Sequence, residues 1–145
     1  AAKMLSQLPQ NKALTDTTGT VARNWLQTDS VAASQWINTL PPGDARDTAV
    51  EQIVNTQARN DPAATMNWAT TIGNPDTRYS SIQRVTTQWA ATDPQAAMQA
   101  VQNVANLTDE QRQKLTQAVQ KIIDNPPPAP NVRIYRGNNN IYYGP

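Results

Sequence analysis

Asp29, Asp61 and Asp93 stand 32 residues apart in a chain of 145. Carboxylates are its main candidates for general acid–base work or for holding a hard cation. There is no His, so the commonest general base and metal ligand is missing. There is no Cys either, which removes thiolate nucleophiles, thiolate metal sites and disulfides. Ser30, Ser34, Ser80 and Ser81 therefore lack a His partner, and no Gly-rich nucleophile turn surrounds them. No Gly-rich phosphate loop is present, and the acids are too dispersed for a calcium loop. We expect no catalytic residue, no cofactor and no metal. Arg46 and Arg78 are also 32 apart. Each can reach an Asp of a neighbouring unit, bond a carbonyl, or clamp the carboxylate of a peptide.

The same spacing gives the acids a structural task. The segments Asp29-Ser-Val-Ala-Ala-Ser-Gln-Trp36, Asp61-Pro-Ala-Ala-Thr-Met-Asn-Trp68 and Asp93-Pro-Gln-Ala-Ala-Met-Gln-Ala100 repeat one another. A carboxylate at a helix start accepts the free N–H groups of the first turn, and Pro62 and Pro94 suit the first helical position. Apolar residues then fall at offsets 3, 4, 7, 8 and 11, a helical stripe in which Thr65 is the weak member. Breaks follow at Leu40-Pro-Pro-Gly-Asp44, Ile72-Gly-Asn-Pro-Asp76 and Ala105-Asn-Leu-Thr-Asp109, where Asp or Thr can cap the next helix. Second helices are expected over about 45–58, 77–91 and 109–124. Trp25 and Trp89, with Gln57 between them in the series, sit four residues before each Asp; Trp36 and Trp68 sit seven after. All four tryptophans are expected in the repeat core.

Subtracting 32 still aligns the upstream residues: Met4 with Trp36, Leu8 with Leu40 and Val21 with Ile53. Residues 1–8 read as the end of a first helix, and 16–28 as its partner, weakened by Gly19 and its threonines. The sequence thus opens inside a repeat. Either it is a piece of a longer array, or its first repeat is cut short and leaves an open end for contacts.

The pattern Trp-Ala-x-x-Asp-Pro-x-Ala-Ala, complete at Trp89–Ala97, and the linker Leu40-Pro-Pro-Gly-Asp-Ala-Arg-Asp47 resemble repeats of bacterial helical-repeat proteins of the broad tetratricopeptide class. The resemblance covers residues 1–124. The period is 32 rather than 34, and the usual Gly and Tyr positions do not match. It implies an all-α, right-handed α-solenoid of about 3.5 helical hairpins that engages proteins or peptides, and it carries over no catalytic residue.

Residues 125–131 are a Pro-rich linker, extended at about 3.1 Å per residue. In residues 132–145, Val132, Ile134 and Arg136 alternate with Arg133 and Tyr135. Gly137 to Asn140 suits a turn, and Ile141, Tyr142 and Tyr143 a return strand. A lone hairpin is marginal in water. This segment is therefore expected to dock on its own helices, on a neighbouring copy or on a partner's sheet edge. Its tyrosines and arginines have the composition of an interface.

A net charge of +1 gives no reason to expect nucleic-acid binding, and no apolar run spans a bilayer. Only 16% of residues are charged, and amides take much of the surface, which suits a secreted or periplasmic bacterial protein. The expected role is a non-enzymatic structural subunit that self-assembles through its repeat ends and tail. The rival is a monomeric adaptor that binds a peptide on its concave face.

Overall fold

The computed structural model describes residues 12–126, 133–137 and 140–144. Seven described helices run in order: α1 Lys12–Thr28, α2 Ser30–Thr39, α3 Asp44–Gln57, α4 Pro62–Thr70, α5 Pro75–Thr92, α6 Pro94–Asn103 and α7 Asp109–Asp124. Long helices (α1, α3, α5, α7) alternate with short ones (α2, α4, α6), and the body is all-helical. Residues 1–8, expected to end a first helix, and the spacer residues 127–131 lie outside the described residues. So does Val132. Further on, β1 (Arg133–Gly137) pairs antiparallel with β2 (Asn140–Gly144), with Tyr135 opposite Tyr142.

Each short helix begins the same way. Asp29, Asp61 and Asp93 adopt φ/ψ of −150/88, −144/77 and −144/83, and each carboxylate accepts from the backbone N–H three residues on, at 3.1, 3.1 and 3.0 Å. The long helices start differently, which corrects the reading of Asp44, Asp76 and Asp109 as caps. The caps are Gly43, Asn74 and Thr108. Gly43 sits at φ 151, which only glycine adopts at ease. Asn74 accepts from Asp76 and Thr77, and Thr108 forms a reciprocal box with Gln111. The three acids lie in the first turn, where they complement the helix dipole.

Long helices pack side by side, α1 on α3, α3 on α5 and α5 on α7, while each short helix packs on its sequence neighbours. The core follows the stripe at offsets 4, 8 and 11: Ala33, Ile37 and Leu40; Thr65, Ala69 and Ile72; Ala97, Val101 and Val104 are all buried. Thr65 tolerates burial because its hydroxyl donates to the Asp61 carbonyl at 2.7 Å. Helix α1 is already helical at Lys12, the first described residue and four residues before its expected start. Gly19 is the reason for its close packing: a Cβ there would stand 2.8 Å from Thr48 Cγ2 on α3.

Candidate functional site

The three arginines near the starts of long helices bond carbonyls. Arg78 donates to Ile72 O at 3.1 Å, and Arg112 donates to Val104 O at 2.9 Å and to Gln102 O at 3.2 Å. Ile72 and Val104 are 32 residues apart and lie just past the ends of equivalent short helices. Arg112 escapes a strict 32-residue search because the loop before it is two residues longer. Arg46 reaches forward instead, to Thr71 O and its hydroxyl, both at 3.2 Å. Of the readings open for Arg46 and Arg78, the geometry displays the carbonyl one.

Asp47 is 7% exposed and accepts from the backbone N–H groups of Gly73 and Asn74 at 2.9 and 3.0 Å. It thereby pins the α4–α5 turn to α3. Glu51 lies one turn along, and its carboxyl is raised above its usual value by burial. The Arg84 guanidinium partly offsets this, and Asp47 adds to it. Arg84 itself donates to the Asn55 side chain. These are bonds between helices, and among the described residues no three acidic side chains gather to hold a metal.

The tryptophans divide. Trp36 is 8% exposed, with its ring 5.6 Å from that of Trp25, which packs half-buried on the same cluster. Trp89 joins the two clusters towards the C-terminal end of the body. Trp68 packs on the first cluster and also walls a groove. This groove runs between α2 and α4 over a floor of Ile53 and Gln57 from α3, with a volume of about 310 Å³. Ser34, Gln35 and Asn38 line one bank, and Ala64, Thr65 and Trp68 the other; beyond Trp68 it continues to Asn67 and Thr71. Val31, at the α2 rim, is 67% exposed.

Asp61, at the cap of α4, is the one charged residue lining the groove. Helices α2, α4 and α6 contain no Asp, Glu, Lys or Arg. At the chain's 16% frequency, their 29 positions (10, 9 and 10) would hold about four or five. Charged residues are depleted at the centres of protein interfaces. This signal stands in the sequence, but it becomes visible only when the short helices are separated from the long ones that carry the charge. The expected tail interface, Arg133, Ile134, Tyr135, Arg136, Ile141, Tyr142 and Tyr143, falls on the paired strands. No described helix is long and apolar enough to cross a membrane. No family model matches the chain, and no curated protein or solved structure does either.

Proposed function

We propose that this chain is a non-enzymatic interaction subunit: a right-handed α-solenoid, like the tetratricopeptide class, that works outside the cytoplasm and assembles with copies of itself through its C-terminal tail. The short helices, which carry no charged residue between their Asp caps and their C-terminal ends, and the α2–α4 groove that opens between two of them carry the reading. A surface so poor in charge gives up solubility, and a contact that must be desolvated is a reason to do so. The paucity of charge and the abundance of amide side chains agree with a periplasmic or secreted setting. The solenoid reading draws on the alternation of long and short helices and on three identically built caps.

The groove also favours a second reading, a monomeric adaptor that holds a foreign peptide there. Size exclusion with light scattering at several concentrations separates the two. Self-assembly predicts a mass that rises with concentration above 15.9 kDa. A mass constant at that value would sink it and leave the adaptor.

A further inference from the structure

We infer that the groove between α2 and α4 is the seat for the C-terminal segment, residues 132–145, of a second copy of the chain. The inference rests on the self-assembly reading and names its docking site. Length is the first argument. The ten residues of α2 are about 15 Å long, and a five-residue strand such as β1 is about 17 Å, so a strand laid along the groove matches its bank.

Charge is the second. Residues 1–124 carry ten cations and eleven acids, a net −1, whereas residues 125–145 carry Arg133 and Arg136 and no acid, a net +2. Asp61 is the single charge lining the groove, and no cation lines it. A basic, acid-free segment meets no like charge there.

Hydrogen bonding is the third. Gln35, Asn38 and Asn67 each offer both a donor and an acceptor, the pairing an extended backbone presents. Trp68 gives an aromatic wall for the tail's tyrosines or its Arg guanidinium groups. A second copy is the better source than the same one. The spacer Asn125–Asn131, rich in proline, leaves the end of α7, two long helices away from the α3 floor. Fully stretched it covers about 22 Å, little more than two helix spacings of about 8–10 Å each, so docking in cis would need the whole semi-rigid run laid back across the body.

The native chain has no Cys, so single thiols can be placed without background. Full-length Ala64→Cys, a site exposed in the groove, is mixed with full-length Asn139→Cys under mild oxidation. Gln83→Cys, exposed on α5 in the long-helix layer, replaces Ala64→Cys as the control. Docking in trans predicts a mixed disulfide dimer at Ala64 formed at least about tenfold faster than at Gln83, because docking raises the effective thiol concentration. Equal rates at the two sites would overturn the inference. So would a fast intramolecular bond in the double variant Ala64→Cys/Asn139→Cys that persists at high dilution. In either case, light scattering of the parent reports separately on whether the chain assembles at all. A concentration-dependent mass with no preference for Ala64 leaves self-assembly standing and removes this seat.

Discussion

Gly19 shows how a single residue can mislead a reading of propensity. Within a helix glycine costs about 1 kcal/mol relative to alanine, so Gly19→Ala looks stabilising. The 2.8 Å approach of a new Cβ to Thr48 Cγ2 reverses the sign, since overpacking costs about 1–3 kcal/mol. Gly19→Ala is expected to lower stability by about 1 kcal/mol in urea unfolding, and adding Thr48→Ser, which deletes Cγ2, is expected to recover it. Glu51 carries a different cost. Its carboxyl is raised, first by burial, so the folded chain binds that proton more tightly than the unfolded chain does. The penalty is therefore in full force above the folded pKa and fades as pH falls through it towards the ordinary value of 4.5. Glu51→Gln is expected to unfold at higher urea than the parent at pH 7, with the gap closing by pH 4. A gap of the same size at both pH values would remove titration as its cause.

At the scale of elements, the short helices are held at both ends. An Asp cap satisfies the N-terminus, and an arginine from the following long helix satisfies carbonyls at the C-terminus of α4 and α6. Arg112→Ala strips bonds from Gln102 and Val104 together and is expected to cost about 1–2 kcal/mol. Arg112→Lys should recover only part, because an ammonium cannot fork between carbonyls. Thermal unfolding of the two variants beside the parent measures both. Much of this level was legible in the sequence. The Asp caps followed from a 32-residue spacing and from prolines that fit only the first turn, and the buried stripe from period 3.6. The sequence left Thr108 open as the cap of α7, and it is; the caps of α3 and α5 were misread because an Asp in the first turn and an Asp at the cap look alike in sequence, and only the φ/ψ of Gly43 and the side-chain bonds of Asn74 separate them. The groove was hidden for another reason. It depends on α2 and α4 being splayed over α3, a relation between elements that no local pattern encodes.

For the whole molecule, the proposed assembly depends on which surfaces one copy can offer another. The last described helix, α7, turns Leu115 and Val119 inwards while Gln113, Gln117, Gln120 and Lys121 are exposed, so this end of the body is polar in the manner of a capping repeat. An end so closed gives little to a face-to-face stack. At the α7 end, the proposed contact therefore falls to the tail and the groove. A contact made there is mainly apolar and amide in character, with Asp61 as the single charge on the receiving side. A single exposed ion pair contributes about 1 kcal/mol at most, and salt screens it. Sodium chloride at about 1 M is therefore expected to change the association constant by less than about tenfold. Sulfate, which is excluded from surfaces, is expected to strengthen association. Deleting residues 125–145 should reduce the mass to that of a single shortened chain while far-ultraviolet circular dichroism keeps the same helical signal, since every described helix ends by Asp124. Assembly that persists after the deletion, or that collapses in moderate sodium chloride, would point to a charged contact between helical bodies and away from the groove and the tail.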